Sequence, residues 1–287
     1  MKSYSLKTPP SRPLPVLLPA LRDELLSSWL CRHANFYGVS GSRLLHHCGV
    51  DARPLRDFDL DLTARDQTRF AHMFRSDPRT LRQMMQSPAG RPSLLIATRR
   101  PMQICRRCSS ANGRLPETRG AQMRCWMEGW RVSCRVCGSS MEDFRPMDRL
   151  NQVAPTDRLL ANSATPAAEG ELIMDRAIRQ KLRSRPYVML MRSLLLPRSR
   201  PLSGAPSTEI PRLLEVVVPE FDEFLRRSYP GFRRPGTLLL PMSVRIPVLA
   251  GLARVLRQPA RWVEQLLAEV TELARPELAA CLAEVMS

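Results

Sequence analysis

Residues 105–137 read CRRCSSANGRLPETRGAQMRCWMEGWRVSCRVC, and the spacing of their cysteines decides how the rest of the chain is understood. Cys105 and Cys108 form one CxxC, Cys134 and Cys137 a second, with 25 residues between them. A CxxC lets two thiolates reach one ion without strain, and two such pairs complete the tetrahedral shell of a structural Zn²⁺. Gly138 follows the second pair, where a turn back from the metal needs positive φ. Four free thiols and two disulfides are the competing readings, and the ligand spacing favours one zinc held by Cys105, Cys108, Cys134 and Cys137. Trp126 and Trp130 precede the second pair and are expected to supply the core that so small a module lacks. Cys125 has no CxxC partner and is expected to be a small buried residue.

Outward from this stretch the chain reads as mainly α-helical. Residues 1–18 hold four prolines and form an arm. A helical module over 19–92 begins with RDELLSSWLCRHANFY, whose Leu25, Leu26, Trp29, Leu30, Phe36 and Tyr37 recur at helical spacing. Gly38 stops that helix, and Ser40 caps a short second one ended by Gly49. Two helices about a glycine turn outline a helix-turn-helix, and equally an αα-hairpin that touches no DNA. Arg32, His33, Arg43, His46 and His47 are the exposed-face candidates for DNA contact. His46 and His47 diverge by about 100° on a helix and cannot easily share an ion. Thr63 with Asp66, and Asp77 with Pro78, open two further helices, and SLLIAT at 93–98 is a strand candidate.

The zinc module is expected to span 93–145, with linker and connecting helices over 146–207, ANSATPAAEG (161–170) being the linker. A basic helical bundle follows over 208–287, with Ser243 capping one helix and Pro219, Pro259 and Pro276 at first-turn positions. Arg226, Arg227, Arg233, Arg234, Arg245, Arg254 and Arg257 make it basic, and bundle surface is the competing reading for each of them.

Among 287 residues, 44 basic against 27 acidic side chains give a net charge of +17. That excess favours polyanionic partners, nucleic acid above all. All but three of the basic residues are arginine, which grips phosphate and base edges bidentately. Apolar residues at 44% indicate a folded protein. No apolar run is long enough for a membrane span, and MKSYSLKTPPSRPLP lacks the apolar region of a signal peptide, so a cytoplasmic protein is expected. Neither a Walker phosphate loop, nor GxGxxG, HExxH or GxSxG occurs.

Two stretches taken together resemble the TniQ family of transposition proteins. LPALRDELLSSWLCRHANFYGVS is similar to that family's proline-rich lead into an SWL helix, through Glu24, Ser28, Trp29, Leu30, Arg32 and Ala34. The second is CxxC…W…CxxCG, in the same order and at a fitting separation. Cys137 stands where members commonly carry histidine, and GSSMEDFRPMD offers no ligands for the further CxxC that many of them have. The resemblance implies a non-enzymatic target-selection factor of a Tn-seven-like or mercury-resistance-type element. Such a protein links target DNA, or a CRISPR effector complex bound to it, to an AAA+ ATPase that recruits the transposase. It also implies a homodimer where the element is CRISPR-associated. A zinc-containing helix-turn-helix transcription regulator and a metal-dependent nuclease are the alternative functions.

Overall fold

Leu26, Leu30, Leu45, Phe58, Phe70, Phe74 and Leu81 are fully buried together, and their helical spacing is what gathers the first part of the chain around one core. The computed structural model describes residues 12–86, 101–144, 157–179, 184–199, 211–229 and 240–286. Within them the protein is mainly helical, with a single two-stranded sheet.

Helix α1 (Leu26–Phe36) ends at Gly38, whose φ of +63° only glycine adopts freely. Helix α2 (Gly41–His47) is capped by Ser40, whose hydroxyl accepts from the Arg43 N–H. Helix α3 (Ala64–Met73) begins at Thr63, which accepts from the Asp66 N–H, and α4 (Pro78–Met84) at Asp77, which accepts from the Arg79 N–H. All three caps fall where the sequence places them. Trp29 lies in this core, its indole donating to the Leu18 carbonyl at 2.9 Å.

Next comes the four-cysteine module. Strand β1 (Gln103–Ile104) pairs antiparallel with β2 (Glu142–Asp143), and helix α5 (Arg106–Gly113) starts directly on Cys105. The expected strand at 93–98 lies outside the described residues, as do Arg233 and Arg234.

The remaining helices are α6 (Arg158–Arg179), α7 (Ser184–Ser193), α8 (Leu214–Val217), α9 (Phe221–Ser228), α10 (Met242–Arg257), α11 (Pro259–Glu269) and α12 (Arg275–Met286). A second core joins them, with Leu194, Leu214, Phe221, Val248, Leu249, Leu252, Leu266 and Leu278 all buried in it. The linker expected at 161–170 is instead the middle of α6. Its small residues look like a linker in composition, yet Ser163, Ala167, Gly170, Glu171 and Met174 recur on one buried face. They let α6 press against α10, so closely that a Cβ at Gly170 would stand 2.3 Å from the Leu249 carbonyl oxygen. Pro166 sits within this helix, where it supplies no N–H to the ladder.

Two expected helix starts also differ. Ser243 does not cap α10, because its hydroxyl is engaged with that of Tyr229 at 2.6 Å. Asp143 of the four-cysteine module takes that place, both its oxygens accepting from the Met242 N–H at 3.1 and 3.0 Å. Pro219 lies two residues ahead of α9, separated from it by Glu220 at φ +73°.

Candidate metal centre

Each CxxC is set by backbone that the sequence makes on the spot. Cys105 is the residue before the first turn of α5, so Cys108 lies one helical turn on and its sulfur returns to the same side. Cys134 and Cys137 flank a turn in which the Gly138 N–H donates to the Cys134 carbonyl at 2.8 Å, with Gly138 at φ +73°. The Cys105 and Cys137 sulfurs are 3.4 Å apart, those of Cys108 and Cys134 3.7 Å, and all four lie within 4.8 Å of one another. An ion bound at about 2.3 Å by four thiolates holds them about 3.8 Å apart, so the four residues fit a tetrahedral metal. Among the described residues they are the one His, Cys, Asp or Glu cluster placed to hold a metal ion.

The thiols do not titrate alike. Burial pushes Cys105 and Cys108 up. Cys134 is drawn down to about 4, first by a hydrogen bond with the Cys125 thiol and then by the N–H groups of Cys137 and Val136, against the opposing effect of burial. Cys137 is lowered chiefly by the Ser139 hydroxyl. Donors aimed at sulfur are what a bound thiolate requires, and a divalent cation at the centre completes the deprotonation. Cys125 is buried beside the cluster, as expected of a small apolar residue, while its thiol reaches Cys134.

On one side of this centre lies α1. Asp23 receives two hydrogen bonds from the Arg124 guanidinium, at 3.0 and 2.7 Å, and one from the Cys125 N–H at 3.1 Å. Ser28 accepts from the Gln122 N–H at 2.8 Å and donates to Glu24. Arg32 is 3% exposed: it grips both oxygens of Glu24, at 2.7 and 2.6 Å, and reaches across to the Glu117 carbonyl at 2.5 Å. Behind them Asp59 accepts from the Ser27 N–H and hydroxyl, and Arg56 bridges Asp59 and Gln122.

On the other side lie α6 and α10. Arg131 is buried among Glu128, Glu171 and Asp175, at 2.5 and 2.7 Å from the first two and bonded to the third. Ser133 donates to Glu171, and the Trp130 indole donates to Asp175 at 3.1 Å. Burial raises Glu171, whereas Arg131 and Arg135 hold Asp175 below its usual value against the effect of burial. Arg245 of α10 enters from the bundle, 1% exposed, donating to the Arg131 carbonyl at 2.9 Å, the Leu240 carbonyl at 2.9 Å and the Gln103 side chain. Burial lowers its guanidinium to about 10. The two expected core tryptophans divide: Trp126 packs within the four-cysteine module, and Trp130 belongs to the bundle's core.

The candidate contact residues therefore separate. Arg43, His46 and His47 lie exposed on α2, and Arg226, Arg227 and Arg257 lie exposed on the bundle. Arg227 pairs with Asp157, and Arg257 pairs with Glu169 at 2.5 Å. Arg254 is half-buried and donates to the Val217 carbonyl. Arg32, His33 and Arg245 are corrections, since all three are buried and face protein. Helical spacing assigns a face but not what packs over it: the four-cysteine module covers Arg32 and Arg245, and Leu18 and Phe74 close over His33. Sequence reasoning missed the Arg131 cluster and Asp143 altogether. Apart from Glu128, three positions from Arg131, their partners stand roughly 40 to 100 positions away, with no periodic signal to join them.

No family model, curated protein or solved structure matches the chain. No helix among the described residues is long and apolar enough to cross a membrane.

Proposed function

We propose that the chain is a non-enzymatic adaptor of DNA transposition. In this reading it links target DNA, or an effector complex bound to that DNA, to an AAA+ ATPase. One structural zinc at Cys105, Cys108, Cys134 and Cys137 staples its centre, since four thiolates in a tetrahedron suit that ion. When bound, zinc supplies folding energy there and no reaction.

The observation that carries the reading is where the two resembling stretches meet. Ser28 and Arg32 of the SWL helix bond directly to the segment between the CxxC pairs, and Glu24, just ahead of that helix, holds both of them. A pattern shared with a family on two distant stretches gains weight when its polar members form one interface. The net charge of +17 supports a polyanionic partner.

The test is loading of an AAA+ ATPase, sought among the genes beside this one. Purified protein should increase the ATPase retained on duplex DNA, with nucleotide present and no strand cleavage. The reading fails if no such ATPase gene is adjacent, or if the ATPase loads equally with and without the protein.

A further inference from the structure

Helix α5 is held by the metal ligands on one face, and among the described residues nothing covers the other. Cys105 and Cys108 turn its buried side inward. Arg107, Ser110, Ala111 and Arg114 are all exposed, and at spacings of three, four and seven they share one face. Arg114 continues the helix in αR conformation, so Arg107 and Arg114 stand about 10 Å apart along one stripe. Two small residues fill the space between them. Arg119 is exposed a short way beyond.

Charge on this face is not neutralised from within. Of the nearby acids, Glu142 is taken by Arg106 at 2.5 Å. Among the described residues no carboxylate lies within ion-pair reach of Arg107, Arg114 or Arg119, whereas Arg32, Arg56, Arg124 and Arg131 are all paired with carboxylates. By contrast α2, the expected contact helix, carries Arg43 as its only permanent charge.

We propose that the solvent face of α5 is a phosphate-contacting surface for duplex DNA, with Arg107 and Arg114 as its paired anchors. This rests on the DNA-contact part of the proposed function and names the element that makes the contact. Two arginines rooted about 10 Å apart on one helix face are spaced to meet successive phosphates of a continuous backbone. The small residues between them let that backbone, or a groove wide enough for a helix, come close. Metal ligands at Cys105 and Cys108 hold the helix still, so little ordering is lost on binding.

Salt-dependent binding of a short labelled duplex of mixed sequence tests this, with zinc-loaded wild type, R107A/R114A and R43A compared between about 50 and 200 mM salt. The double variant should flatten the log–log salt slope by about two and weaken low-salt binding by at least about tenfold, with R43A close to wild type. Both arginines are exposed and have no ion-pair partner among the described residues, so metal content and helicity should not change. Unaltered binding by R107A/R114A, or loss confined to single-stranded RNA, overturns the proposal. Loss in R43A alone also overturns it, while leaving DNA contact in place on α2. Absence of duplex binding by wild type overturns it too, and leaves the adaptor reading to the ATPase-loading test.

Discussion

Two buried arginines flank the four-cysteine module, and they are built differently. Arg32 faces one carboxylate, Glu24, which lies just ahead of α1, and spends its remaining donors on carbonyls. Arg131 faces three carboxylates, and a second buried guanidinium, Arg245, sits on its carbonyl. The first node balances charge within one short stretch of chain and, among the described residues, accepts no other carboxylate. The second gathers charge from the module, α6 and α10, and among the described residues its two α6 carboxylates are paired only by arginines of the module. A buried ion pair is weak evidence for stability taken whole, but removing one member leaves the rest stranded. The two nodes should therefore fail to different degrees.

Arg131→Ala is the larger break. It leaves Glu128, Glu171 and Asp175 buried without their common partner, and a loss of about 5 kcal/mol is expected in urea unfolding. A loss under about 1 kcal/mol would mean that water reaches the cluster, and the contrast would disappear. Arg32→Ala strands only Glu24, so about 3 kcal/mol is expected, together with faster exchange of the Gln122 amide.

Acid should sharpen the difference, because the Arg32 side carries a histidine. His33 is fully buried, with its Nε2 accepting from the Leu18 N–H at 3.0 Å and its Nδ1 against the Trp29 carbonyl. Burial lowers it from 6.5 to about 4, opposed by the Trp29 bond and aided by Arg32. The unfolded chain thus takes up a proton that the folded one refuses, and stability is lost as pH falls from 6.5 towards 4. Between pH 7 and 5 the expected loss from this group is about 2 kcal/mol. His33→Gln should remove that part of the pH dependence, measured as urea midpoints at the two values. Arg131 and Arg135 hold Asp175 below its usual value, so its contribution is lost only at lower pH, and the α6 side should outlast the α1 side.

How much of this was legible follows from distance along the chain. The caps at Ser40, Thr63 and Asp77, the stop at Gly38 and the four ligands depend on neighbours a few positions away, and residue type with spacing is enough to place them. Arg32 was assigned to a helix but to the wrong face, since nothing local tells a reader that residues 117–124 cover it. Arg245 misled in the same way. Segment 161–170 reads as a linker because alanine, serine and glycine serve flexible linkers and tightly packed helices alike; only the stripe of Ser163, Ala167 and Gly170 against α10 separates the two. Asp143 as the cap of α10 lay beyond any local rule, its partner being 99 residues away.

The central claim is that the metal-binding module is the junction on which both helical parts of the molecule depend. Hydrogen exchange of the zinc-loaded protein before and after chelation tests it most directly. The account predicts that protection falls together over residues 103–143, in α1, and in α6 with the first turns of α10. Loss confined to 103–143, with α1 and α6 as protected as before, would contradict it.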